Sequence, residues 1–194
     1  KCMHTAILVE PEIPENTGFI ARLAANFEFS LRIVNPEFNL EEARKTAKNA
    51  QEKLRNAEIF ESAEEAVDDL DYVVGTKPGK GKAIGEFETR KNTSVMIGRE
   101  SSGLSNKELE LCDAVVYIET SGYSSLNQSH ATGILFHKLQ SLEDTKNEGI
   151  TRGQINKLEQ LLPESALEAV ISSNPERKEV GRIIGDLKEY NQSD

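Results

Sequence analysis

The chain has 194 residues, 37% hydrophobic and 29% charged, with a formal net charge of −10; this suits one α/β domain with a small appendage and excludes two full enzyme domains. No apolar run approaches the roughly 18 residues of a membrane span, and the opening KCMHTAILVE lacks the layout of a secretory signal, so a soluble, cytoplasmic protein without membrane partners is expected. Cys2 and Cys112 stand far apart with no CxxC spacing, which argues against a metal site, and the acidic balance argues against a surface coated in positive potential.

In chain order, aliphatic runs predict strands at 5–9, 31–34, 72–75, 94–97 and 114–118. They are apolar throughout, as strands covered on both faces should be. Helices are predicted between them at 17–27, 41–56, 62–69, 105–111 and 127–142, an alternation that gives βαβ units and a mostly parallel sheet flanked by helices. A main domain of 1–143 is followed by a polar linker at 144–150. From there the periodicity is purely helical, and 151–194 reads as a short helical C-terminal extension. Thr151 with Gln154 makes a capping box, Asn174-Pro175 offers an N-cap with proline at the first helical position, and Val180, Ile183, Ile184 and Leu187 share one stripe.

Three segments carry candidate chemistry. In PEIPENTGFIAR (11–22), Asn16 and Thr17 are candidate caps of the first helix, and Gly18 permits close approach of another backbone. Arg22 lies less than two turns into that helix, near an N-terminus that favours anions; an RNA phosphate or a developing oxyanion would suit it, and so would plain solvent. In SVMIGRESSGLSNKELELCD (94–113), a strand ends at Gly98 and opens into a polar loop with Gly103, the place where ligands lie in an open α/β sheet. Glu100 could orient an arginine, cap a neighbouring helix or face water, whereas Ser105 with Glu108 reads as a structural capping box. In AVVYIETSGYSSLNQSHATGILFHKL (114–139), Ser125, Asn127 and Ser129 crowd polar groups at a helix start, more than one N-cap requires. His130 and His137, seven residues apart, and the remote His4 have no carboxylate at ligand spacing and are read as structural. Between these segments, 75–99 holds Lys77, Lys80, Lys82, Arg90, Lys91 and Arg99 against only Glu86 and Glu88, a local basic patch on an acidic body.

In this order, Asn16-x-Gly18-x-x-x-Arg22, Gly98-x-Glu100-x-x-Gly103-Leu104 and Ser125-Leu126-Asn127-x-Ser129-x-Ala131 resemble the three motifs of the SpoU/TrmH family in the SPOUT superfamily of RNA methyltransferases. The resemblance covers roughly residues 5–142, and the wording around the motifs is most similar to the TrmJ branch in its archaeal form. It implies a parallel sheet whose C-terminal part, about 93–140, is threaded into a deep trefoil knot, a rare exception among folds that periodicity would not reveal. It also implies a homodimer in which residues of one subunit face the cofactor of the other, and S-adenosyl-L-methionine as that cofactor. Carried onto this sequence, the cofactor contacts are Thr76, Lys77, Gly98, Arg99, Glu100, Ile118, Ser125, Leu126 and Asn127.

The implied activity is transfer RNA 2′-O-ribose methylation, at anticodon-loop nucleotide 32 for the TrmJ branch. By resemblance, Arg22 faces the 2′-hydroxyl as general base; because a guanidinium stays protonated in proteins, stabilisation of the emerging alkoxide or a grip on phosphate stands beside that role. Asn16 and Glu100 would orient Arg22, and Ser125 and Asn127 would shape the pocket. Arg22, Lys77, Lys80, Lys82, Arg90 and Lys91 are candidate RNA contacts. The reaction needs a 2′-hydroxyl, so RNA and not DNA is the expected partner. A ribosomal RNA ribose methylase shares every motif named, and a catalytically idle knotted RNA-binding protein is the reading from another class. A Rossmann dehydrogenase is disfavoured, since no GxGxxG follows the first strand.

Overall fold

The computed structural model describes residues 4–90, 92–123, 125–140, 150–173, 175 and 177–191. Residues 144–149 of the predicted linker at 144–150, the N-cap position Asn174 and the basic residue Lys91 lie outside the described residues. Seven strands form one sheet: β1 (Thr5–Val9), β2 (Ser30–Val34), β3 (Glu58–Phe60), β4 (Tyr72–Thr76), β5 (Lys82–Ala83), β6 (Thr93–Ile97) and β7 (Ala114–Tyr117). Their order is β3-β2-β1-β6-β4-β7-β5, and every pairing of these strands is parallel.

The helices that accompany the sheet are α1 (Pro14–Asn26), α2 (Leu40–Ala47), α3 (Gln51–Arg55), α4 (Ala63–Val67), α5 (Asn106–Glu110) and α6 (Gln128–Gln140). Because side chains alternate across a strand, each central strand feeds two cores. Ala6, Leu8, Ile33, Val74, Val95 and Ile97 face α1, α2, α3 and α6 on one side, where Phe29 and Phe136 stack at 3.9 Å. Ile7, Val9, Val34, Val73 and Met96 face α4 and α5 on the other. Double coverage explains why these strands read as unbroken aliphatic runs.

The prediction of one helix over 41–56 is corrected to α2 and α3 joined by a single 3-10 turn, Lys48–Ala50. The break falls at Lys48, whose φ of 48° lies outside the right-handed helical region. Strands β3 and β5 are additional to the predicted set, because three and two residues are too short to display a period. The first helix begins at Pro14 rather than at 17, with proline in its first turn and no side-chain cap from Ile13. Asn16 and Thr17 are therefore buried helical residues, not caps.

The chain runs outward from β1 through β2 to β3, crosses to β4, and returns to place β6 between β1 and β4. The order thus reverses beside β1, and in an open parallel sheet such a reversal leaves a crevice beyond the carboxyl ends of the strands.

Residues 151–191 form α7 (Arg152–Glu159), α8 (Glu164–Ser172) and α9 (Arg177–Asn191). Thr151 and Gln154 make the predicted capping box, and Leu158, Val180 and Ile184 form a small core of their own, with Ile183 and Leu187 packed against it. The unit is fastened to the domain through its first turn. Arg152 N–H donates to Leu70 O at 3.2 Å and Gly153 N–H to Asp68 O at 2.6 Å; the Arg152 guanidinium donates to Leu111 O and lies 3.7 Å from Asp113. No described helix is long and apolar enough to cross a membrane.

Candidate active site

A cavity of about 570 Å³ opens beyond the carboxyl ends of β4, β6 and β7, within the range of small-molecule sites. Its lining comes from Ile13 and Asn16 at the start of α1, 76–78 after β4, 97–103 at the end of β6, 116–118 at the end of β7, and Tyr123 with parts of 125–135 leading into α6. Thr76, Lys77, Gly98, Arg99, Glu100, Ile118, Ser125, Leu126 and Asn127 all line it.

Hydrogen bonds tie the three motif segments together around this cavity. The Asn127 amide donates to Asn16 Oδ1 at 3.1 Å, and the Asn16 amide donates to Glu100 Oε1 at 3.2 Å. Glu100 also accepts from Glu12 N–H at 2.8 Å and Ile13 N–H at 3.3 Å. It thereby holds, from another part of the chain, the backbone that leads into α1, a helix without a side-chain cap from Ile13. The arrangement is reciprocal: Glu12 accepts from the Ser101 N–H and hydroxyl at 2.8 and 2.6 Å, and these bonds hold the Glu12 carboxyl below its ordinary range.

The loop after β6 is shaped by backbone contact. A Cβ on Gly98 would stand 2.2 Å from the Gly103 carbonyl carbon, so only glycine fits there. Gly103, at φ 68°, donates to Arg99 O at 2.9 Å and closes the turn. Arg99 reaches back to Glu10 at 2.5 Å and to Glu108 at 3.0 Å, and hydrogen bonding to Glu108 and Glu10 raises its pKa against the opposing effect of burial. Glu108 also completes the predicted capping box with Ser105. Lys77 spans the mouth, donating to Leu104 O at 2.7 Å.

At the start of α6, Asn127 Oδ1 accepts from the Ser129 N–H and hydroxyl. Ser129 is thus absorbed by the cap, while Asn127 keeps its amide for Asn16. Ser125 is exposed. His4 stacks on Phe29, His137 meets the Phe27 ring edge-on, and His130 and His137 are exposed on α6. Among the described residues there is no cluster of potential metal ligands.

Arg22 is exposed and does not line its own chain's cavity. Lys80, Lys82 and Arg90 are also exposed and outside it, with Arg90 stacked over Tyr72. Arg22 shares the outward face of α1 with Phe19, and α6, packed against α1, presents Ile134 outward; Phe19 and Ile134 are about two-fifths exposed. Sequence alone does not single out Ile13, Glu12, Ser101 or Gln128. Their partners are 30 to 89 positions away, and nothing local marks them.

The SpoU rRNA methylase family model matches residues 3–137. The tRNA (cytidine-2′-O-)-methyltransferase TrmJ of Methanocaldococcus jannaschii is 35% identical over 154 residues, 71% of this chain and 67% of the relative. TrmJ of Sulfolobus acidocaldarius is 33% identical over 155 residues, 72% of this chain and 66% of its own. The chain spans about two thirds of the length of these relatives. In fold it resembles TrmJ from Z. mobilis, with a TM-score of 0.71 over 97% of this chain and 99% of that one at 21% identity. It also resembles the SpoU methyltransferase AviRb from Streptomyces viridochromogenes in complex with AdoMet, with a TM-score of 0.61 over 72% and 60% at 24% identity. A parallel sheet flanked by helices, three motif segments meeting at one cavity, and a family match across the whole sheet together place the chain in the SpoU methylase family.

Proposed function

We propose that this chain is a transfer RNA 2′-O-ribose methyltransferase that uses S-adenosyl-L-methionine and works as a homodimer, modifying nucleotide 32 of the anticodon loop. The observation that carries the reading is the hydrogen-bonded line Asn127–Asn16–Glu100, which draws three distant segments to the rim of one cavity. The 2′-O-methyltransferase activity named for the archaeal relatives supports it. We read 1–143 as the catalytic domain, 93–140 as its trefoil knot and 151–194 as an extension. The return of β6 to a place between β1 and β4 is consistent with such threading.

The residues present fit the cofactor. Apolar Ile118, Leu126 and Leu135 offer a slot for a purine, and Thr76, Ser125, Asn127 and the backbone of 98–103 offer polar groups for the ribose and the charged tail. S-adenosylmethionine supplies an electrophilic methyl group carried on a sulfonium. Bound there, it would pass that methyl to the ribose 2′-oxygen as its carbon–sulfur bond broke to leave a neutral thioether, and the hydroxyl proton would go to solvent. Positioning provides much of the rate. Arg22 lies on the outward face of α1, not in its own cavity, so it serves the partner subunit's cavity across the α1–α6 face, steadying the developing negative charge on oxygen. Glu100 and Asn16 act on it indirectly, by fixing the start of α1.

Incubating transfer RNA with the protein and cofactor and mapping 2′-O-methylated nucleotides tests the substrate; methylation confined to ribosomal RNA would overturn it. Arg22→Ala should lose at least about a hundredfold in transfer rate while calorimetry shows cofactor binding unchanged. Equal loss of both would remove Arg22 from the role of charge stabiliser.

A further inference from the structure

Gln128, the first residue of α6, belongs to the cavity wall but takes no part in the transfer as described. Its side-chain amide donates to Gly98 O at 2.8 Å, a fully buried bond. Its carbonyl oxygen, Oε1, is buried and has no hydrogen-bond partner among the described residues. Gln128 is only 9% exposed, and a buried amide oxygen without a donor is costly. Because the donor bond to Gly98 fixes which end of the amide is oxygen, the unmatched group is an acceptor. The ligand that matches it must bring an N–H.

We infer that Gln128 is a cofactor-selecting residue, whose Oε1 accepts a hydrogen bond from an amino group of the bound cofactor while its amide holds the Gly98 turn in place. The inference rests on the cofactor reading above. S-adenosylmethionine carries two such groups, the exocyclic amine of adenine and the α-ammonium of its amino-acid tail, and both are N–H donors of the same kind. A site built around a buried polar group rejects a ligand that leaves that group unpaired more strongly than it rejects a change of size. The residue therefore sets which donor molecules are accepted, beyond helping to bind them.

The test compares ligands within each protein, so that any loss of folding cancels. Calorimetry would measure the affinity of wild type and Gln128→Leu for S-adenosylhomocysteine, for its inosine counterpart, in which the adenine amine is replaced by oxygen, and for the analogue lacking the α-ammonium. Wild type should bind one of the two analogues at least roughly tenfold more weakly than the parent, and Gln128→Leu should reduce that ratio to near unity. The analogue whose ratio collapses identifies the amine. Equal ratios in wild type and variant for both analogues would overturn the inference. If Gln128→Leu does not fold, wild type alone still decides, since binding all three ligands equally excludes an amine-reading acceptor. Failure of wild type to bind S-adenosylhomocysteine at all would instead sink the cofactor reading on which the inference depends.

Discussion

Glu108 is placed under two opposing influences. Burial pushes its carboxyl up, but the Arg99 guanidinium and the Ser105 N–H outweigh this and hold it below the ordinary carboxylate range. A carboxyl lowered in the folded state contributes stability that is present above its unfolded pKa and is lost as pH falls through the folded one. The melting temperature of wild type should therefore fall more steeply below about pH 4 than that of Glu108→Gln; parallel curves would show that the Arg99–Glu108 pair adds nothing. Residue chemistry is partly legible in the sequence. Asn16, Glu100 and Asn127 stand out only together, through the motif resemblance, because each taken singly also reads as a cap or a solvated group. What Glu100 binds is not legible, because its partners at 12, 13 and 16 lie 84 to 88 positions away. Gln128 goes unmarked because a glutamine in a helix's first turn is ordinarily solvated, and only the tertiary fold buries it.

At the scale of elements, α1 is the piece on which the site turns, and its closest neighbour is α2. A Cβ on Gly18 would stand 2.0 Å from Thr46 Oγ1 and 2.2 Å from Ala43 O, so α1 and α2 touch backbone to backbone. Gly18→Ala should destabilise the domain by about 3 kcal/mol, the upper part of the overpacking range, read as a drop in the urea midpoint with an unchanged slope. It should also weaken cofactor binding, because α1 carries Ile13 and Asn16 into the cavity. An unchanged midpoint would mean that the two helices separate freely. The long aliphatic strands are readable from sequence because burial on both faces leaves an unambiguous apolar run. The start of α1 is not, since the backbone leading into it is held by the distant Glu100 and the helix has no side-chain cap of its own. Nor is the break at Lys48, which leaves no mark in a stretch otherwise rich in helix formers.

At the scale of the whole molecule, the proposed transfer needs two copies, because Arg22 lies outside its own chain's cavity. The wild-type protein should sediment at about twice its 21.5 kDa chain mass. Ile134→Glu, placing a charge on the outward face of α6, should shift it toward the single-chain value and silence methyl transfer while cofactor still binds; an intact dimer would move the interface elsewhere. The acidic total charge is compatible with an RNA enzyme because some basic residues stand near the cavity: Lys77 lines it, and Lys80 and Lys82 follow on exposed positions.

The first turn of α7 is fastened to Asp68, Leu70, Leu111 and Asp113, just ahead of β4 and β7. Those strands run away from it toward the cavity, over a five-residue length in β4 of roughly 16 Å. The helical tail is thus moored at the stern of the sheet while the cavity opens at the bow. A polynucleotide grasped by both within one subunit would have to pass along the flank of the domain. Shortening the tail should consequently alter which RNAs stay aboard and leave the intrinsic speed of methylation untouched.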